Sequence, residues 1–281
     1  MRVIVTGAEG QVGRELLTAF ADHDVAGVGH SELDVTSRDD VLAFVTASQP
    51  DAVIHAAAWT AVDACEGDPD RAYATNALGT RNVAEAARRV GAHLTTFSTD
   101  YVFDGTKTAP YLEWDEPNPQ SVYGRSKLAG EREATASGGA LVIRISWVCG
   151  QYGSNMVKTI LRLAGQHPTL QFVDDQRGHP TFAADAAAGV RRLVADRRVG
   201  TYHMTNQGAV SWYEFACAVL DAAGDDPARV EPIRSADLLP PRPAPRPANS
   251  VLDNAALRLQ GLPLLPHYRD SLAPLVATLL G

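Results

Sequence analysis

Residues Arg2–Gly13 read "RVIVTGAEGQVG", a short β-branched run followed by Gly7, Gly10 and Gly13 at a GxxGxxG spacing. The run predicts a buried strand. The glycines then let the backbone turn tightly into a helix and lie close against a ligand. The N-terminus of such a helix carries partial positive charge and unpaired N–H groups, which favour a pyrophosphate. Three spaced glycines alone describe many tight turns. Set between a strand and a helix, they describe a dinucleotide-binding loop. Gly7, Gly10, Gln11 and Val12 are therefore the first candidates for holding a cofactor.

The pattern that begins here repeats outward along the chain. "DVAGVGH" (24–30), "DAVIHAA" (51–57), "HLTTFST" (93–99) and "ALVIRIS" (140–146) read as further buried strands. Helical patterns near 11–22, 37–48, 69–91 and 122–137 separate them. This alternation predicts an α/β fold of Rossmann type, a doubly wound parallel sheet covered on both faces. "LQFVDD" (170–175) and "GTYHMTN" (200–206) flank a helix near 183–196 and predict segments returning to the sheet. Beyond about 206 the alternation weakens. A helix near 211–223 precedes "LLPPRPAPRPANS" (238–250), whose five prolines exclude regular helix and central strand. The expected division is a dinucleotide-binding domain over 1–149, with return segments near 170–203. Residues 150–281 then form mainly a smaller C-terminal α/β lobe for substrate.

Composition narrows the class of protein. With 45% hydrophobic and 21% charged residues, the 281-residue chain is ordinary for a globular protein able to bury a full core. A formal net charge of −8 argues against a nonspecific nucleic-acid binder. No apolar run approaches the ~20 residues needed to span a membrane, and the glycine-rich start is unlike a signal peptide. Cys65, Cys149 and Cys217 are widely spaced and form no CxxC pair, which predicts a reducing cytoplasm and no structural zinc.

The second strand is predicted to end at Gly29-His30-Ser31, where an NAD-preferring fold often carries an acid for the ribose 2′-hydroxyl. No acid follows until Glu32, so a 2′-phosphate meets less repulsion, yet no arginine clearly awaits it. NADPH is the expected cofactor, with NADH accepted. Asp34 and Val35 are candidates for the adenine edge, although Asp34 before Thr36 and Ser37 equally suits a helix cap. Ala56, Ala57 and Ala58 end the third strand with side chains small enough for a ribose to lie close.

In "SVYGRSKLAG" (121–130), Tyr123 stands four residues ahead of Lys127, one of only three lysines in the chain. One turn apart, they share a helix face and can point into one site. A neighbouring ammonium is expected to lower the phenol's pKa, making it a usable proton donor near neutrality. In "FSTDYVFDG" (97–105), Ser98 and Thr99 end the fourth strand, at the sheet edge where ligands bind. A Thr99 hydroxyl donating to a carbonyl oxygen would stabilise the charge that develops during hydride attack.

The glycine loop, the strand-end Ser-Thr and the Tyr-x-x-x-Lys helix together resemble the extended short-chain dehydrogenase/reductase superfamily. A finer likeness runs from residue 7 to residue 253. "GAEGQVG", "AAAWTAVDACE", "STDYVFDG", "YGRSK", "RISWVCG", "DDQRGHPT" and "RPANSVLD" follow the order seen in dTDP-4-dehydrorhamnose reductases. The resemblance implies NADPH-dependent reduction of a nucleotide-linked 4-ketosugar, with Thr99, Tyr123 and Lys127 catalytic. It also implies Tyr123 and Lys127 against the cofactor, and Thr60, Val62, Thr99 and Trp147 near substrate or nicotinamide. Asn155, Gln176 and Arg246 fall on its nucleotide-sugar side.

Cys149 departs from the family, standing where an aromatic is expected. Some relatives bind magnesium through glutamates between subunits, and Glu15 falls in a comparable position. One carboxylate does not make an octahedral oxygen site, so no required metal is expected. Dehydratases of the superfamily place an Asp-Glu pair after the threonine, whereas here Thr99 is followed by Asp100-Tyr101. A noncatalytic dinucleotide-binding regulator, such as the methionine adenosyltransferase regulatory subunit, is also similar to this family but need not keep the catalytic set. The outer positions of "YGRSKLAGEREATA" are charged or small, which predicts a monomer or weak homodimer.

Overall fold

The computed structural model describes all 281 residues. Six strands form one parallel sheet: Arg2–Thr6, Asp24–Val28, Ala52–His55, His93–Thr99, Ala140–Ile145 and Gly200–His203. Numbered along the chain, their order across the sheet is 2-1-3-4-5-6. From the first strand the chain crosses to one side for the second and returns to the other side for the third. That reversal opens a crevice at the carboxyl ends of the first and third strands, where doubly wound sheets bind ligands.

Period-two alternation along the strands supplies two cores. Val3, Val5, Ala52 and Ile54 meet Leu16, Phe20 and Val190 on one face. Val53 joins Val41, Val45, Val83 and Leu94 on the other. A third core, around Val157, Phe215, Leu220 and Leu272, belongs to the C-terminal helices.

Two features differ from the sequence pattern. The helix expected over 69–91 is three pieces: Pro69–Tyr73, a π-helical turn Ala74–Leu78, and Gly79–Val90. Of the stretch near 170–203, only Ala183–Ala195 and Gly200–His203 return to the main sheet. Leu170–Val173 pairs instead with Val230–Ile233. The proline stretch is pinned across the first lobe, where Ala244 N donates to Asp63 Oδ1 at 3.1 Å.

Candidate active site

Gly7 adopts φ +68, and a Cβ there would fall 2.5 Å from the Ala57 backbone nitrogen. Only glycine lets this loop lie against the alanine turn that ends the third strand. Gly10 precedes the helix Gln11–Ala19 without a side-chain cap, and Gly10 to Gly13 line the crevice, so no side chain competes there for the first-turn N–H groups. These features fit a dinucleotide pyrophosphate.

Two adjoining cavities lie along the crevice. One is lined by Gly7, Gly10, Asp34, Val35, Ala56, Ala57 and Ala58, and also by Arg71. Asp34 Oδ1 accepts from Thr36 N at 2.9 Å and Oγ1 at 2.8 Å, so its charged form is favoured within its own turn. The other is lined by Gly10, Gln11, Val12, Ala56, Ala58, Thr60, Val62, Thr99, Tyr123, Lys127 and Trp147. Sequence candidates from five separate stretches thus meet in one space.

Ser121 Oγ accepts from Gly124 N at 3.1 Å and starts the helix Val122–Ala136. A buried ion pair fixes this helix to the fifth strand: Arg144 donates to Glu131 at 2.8 and 2.7 Å. Tyr123 and Lys127 are both buried. Burial pushes the Tyr123 phenol well above its ordinary range, while the Thr99 hydroxyl acts the other way. Burial also pulls the Lys127 ammonium down to about 8, opposed by Glu131.

The expected lowering of the tyrosine pKa by the lysine is therefore corrected. Both groups are taken out of water, and for the phenol that desolvation outweighs every favourable contact, while the lysine's charge also bears on His55. Tyr123 is held in its protonated, donor form. Thr99 Oγ1 donates to Asp100 Oδ1 at 3.0 Å and accepts from Tyr101 N at 3.2 Å.

Three further residues line or brace the site, and none was among the candidates its motifs offered. Asp100 lines the cavity beside Thr99, its second oxygen unpartnered and its carboxyl pushed up to about 6 by burial. Its place directly after the strand-end threonine was the available signal. Asn76, in the π-helical turn, accepts from Trp59 N at 2.8 Å and donates to Trp59 O at 3.1 Å. It also donates to Ser126 Oγ at 2.9 Å, joining the cofactor wall to the Tyr123 helix. Trp212 lines the cavity from the C-terminal lobe, and only its capping-box position marked it.

Three substrate candidates are engaged elsewhere. The Arg246 guanidinium forks onto Asp63 at 2.6 and 2.8 Å rather than facing the cavity, because that carboxylate is its near counter-charge. Gln176 donates to Ser235 Oγ at 2.8 Å. Asn155 caps the helix Met156–Ala164 and donates to Gln11 Oε1 at 3.0 Å, so it braces the glycine loop. Glu15 is buried with its carboxyl raised by desolvation, and Cys149 is buried with its thiol pushed up to about 12.

The switch-point sheet, the glycine loop and the Thr-Tyr-Lys cluster define a protein of the extended short-chain dehydrogenase/reductase class. Residues 1–280 match the family described as RmlD substrate binding domain. A dTDP-4-dehydrorhamnose reductase of Streptomyces griseus is 41% identical, covering 100% of this chain and 94% of that protein. The crystal structure of a dTDP-4-dehydrorhamnose reductase from Clostridium acetobutylicum superposes with a TM-score of 0.96 at 39% identity, covering 100% of both chains. The Bacillus anthracis enzyme, solved in complex with NADP, gives 0.95 at 37% identity over 99% of each chain. The chain belongs to the dTDP-4-dehydrorhamnose reductase family.

Proposed function

We propose that the protein reduces the 4-keto group of dTDP-4-dehydro-L-rhamnose to give dTDP-L-rhamnose, with NADPH as hydride donor. The observation that carries this reading is the convergence of Thr99, Tyr123 and Lys127 on the cavity reached by Gly10 and Val12. The family membership and the NADP complex of the Bacillus anthracis relative support it.

When bound, the reduced nicotinamide supplies a hydride. The chain's own residues do the rest. The glycine loop and its helix N-terminus bind the pyrophosphate, Ala56–Ala58 admit the ribose, and Lys127 donates to its hydroxyls. The Thr99 hydroxyl, which in the absence of substrate donates to Asp100 Oδ1, turns its one proton to the ketone oxygen when the sugar binds. Tyr123, kept protonated by burial, gives its proton to the alkoxide that forms. Trp147 and Trp212 wall the sugar side of the cavity and exclude water from it.

On this reading residues 1–149 mainly bind cofactor and 150–281 mainly bind the nucleotide sugar. No helix is long and apolar enough to cross a membrane, and a cytoplasmic location suits the chemistry. The outer faces of Gly79–Val90 and Val122–Ala136 carry the Arg81–Glu133 pair at 2.6 Å instead of an apolar stripe, which supports a monomer or weak dimer. Light scattering over a range of concentrations tests that assignment, and a dimer that persists on dilution would refute it. The activity is tested by generating the unstable ketosugar enzymatically, adding protein and NADPH, and identifying the product by NMR. No NADPH consumption removes the assignment. A 4-epimeric 6-deoxysugar keeps the chemistry and the substrate but changes the product, the hydride having reached the other face of the same ketone.

A further inference from the structure

We propose that Glu9 takes the place of the acid missing from the end of the second strand, and that its carboxylate sets the balance between NADH and NADPH. The inference rests on the reductase reading above. In a Rossmann-type sheet, a carboxylate at that strand end accepts a hydrogen bond from the adenosine ribose 2′-hydroxyl. Here the strand Asp24–Val28 runs into Gly29, which has no side chain to offer.

The structure fills the gap from another segment. A Cβ built on Gly29 would fall 2.5 Å from Glu9 Oε2 and 2.5 Å from Glu9 Cδ. The Glu9 carboxylate therefore occupies the volume a side chain at 29 would take, carried there by the loop between Gly7 and Gly10. Glu9, Gly29, His30 and Asp34 line the same cavity. Glu32, the nearest acid in sequence, is engaged otherwise: its Oε2 accepts the Gly29 N–H at 2.9 Å and closes the turn.

A ribose 2′-hydroxyl donates to Glu9. A 2′-phosphate, carrying about two negative charges, meets a like charge there. Because Glu9 is exposed, water and salt screen that repulsion and limit it to a modest factor. Arg71, whose guanidinium stands 4.5 Å over the Trp59 ring in the same cavity, offsets part of it. The two opposed charges let both cofactors bind.

The test is direct binding without sugar, following nicotinamide fluorescence to obtain Kd for NADH and NADPH. Wild-type protein, Glu9→Gln, Glu9→Lys and Glu32→Gln are compared at low and high salt. The ratio of NADPH to NADH affinity is expected to rise about 5–10-fold in Glu9→Gln. It should rise further in Glu9→Lys, and both gains should shrink in salt. Glu32→Gln should move the ratio by less than about 2-fold, since its carboxylate serves the turn. An unchanged ratio in both Glu9 variants, or a larger shift in Glu32→Gln, would overturn the proposal while leaving the reductase reading intact. Failure of the wild-type protein to bind either cofactor would overturn both.

Discussion

The indole of Trp147 lies flat against that of Trp212, ring centroids 3.5 Å apart and planes within 8°. Trp147 follows the fifth strand with φ +44, in the left-handed region that a bulky residue rarely adopts. Trp212 opens a helix of the C-terminal lobe, held by the Ser211–Glu214 capping box. The stack thus joins the two lobes across the wall of the cavity that Thr99, Tyr123 and Lys127 also line.

Trp212→Ala removes half of that wall. The KM for the ketosugar should rise about 10-fold, or ~1.4 kcal/mol, with a smaller change in cofactor Kd. Trp212→Phe should recover most of the loss. Steady-state kinetics with each substrate varied in turn decide the matter, and an effect on NADPH alone would contradict the assignment.

Tyr123→Phe keeps the buried ring and deletes the proposed proton donor. Its kcat should fall on the order of 10²–10⁴-fold, with cofactor affinity retained. The edge-on contact with Tyr101, centroids 5.7 Å apart, should survive the change. Near-normal turnover at neutral pH would remove Tyr123 from the mechanism.

Lys127 carries a stability cost whose sign follows from its environment. Its pKa falls from 10.5 to about 8 through burial, so the folded state binds fewer protons than the unfolded chain between those values. Stability should therefore rise with pH through that window, as the buried charge is lost. Lys127→Met should stabilise the protein at pH 7 by up to about 3 kcal/mol while abolishing turnover. The gain should shrink towards pH 10. Urea melts at both pH values measure it, and a variant less stable at pH 7 would mean that the attraction of Glu131 outweighs the cost of burial.

Asn76→Ala leaves the Trp59 backbone and Ser126 without three hydrogen bonds in a buried place. The expected cost is about 2–4 kcal/mol, since buried unpaired groups lose their hydration without replacement. Because Asn76 joins the cofactor wall to the Tyr123 helix, kcat should fall as well. Denaturant midpoints and initial rates on the same samples test both. A loss of stability with kcat unchanged would make Asn76 a structural residue only.

The main fold was legible because its signals are local. Strand and helix periods, and glycines spaced where a turn must meet a helix, declare a doubly wound sheet one segment at a time. Tyr123 and Lys127 were legible for the same reason, since four residues on a helix make one face. The π-helical turn at Ala74–Leu78 was not legible: it is held by Asn76 reaching Trp59 and Ser126, distant in sequence.

Charge and partner choice were decided only by tertiary packing. Sequence placed a lysine beside a tyrosine, but burial of both determines that the phenol stays protonated and the ammonium is weakened. Arg246 was a free cation in the sequence until folding brought Asp63 within 2.6 Å. Glu9 was one residue of a loop until Gly29 made room for its carboxylate. Backbone propensity acts over a few residues and can be read along the chain. Desolvation and ion pairing depend on which groups the fold brings together, and those groups come from segments far apart in sequence.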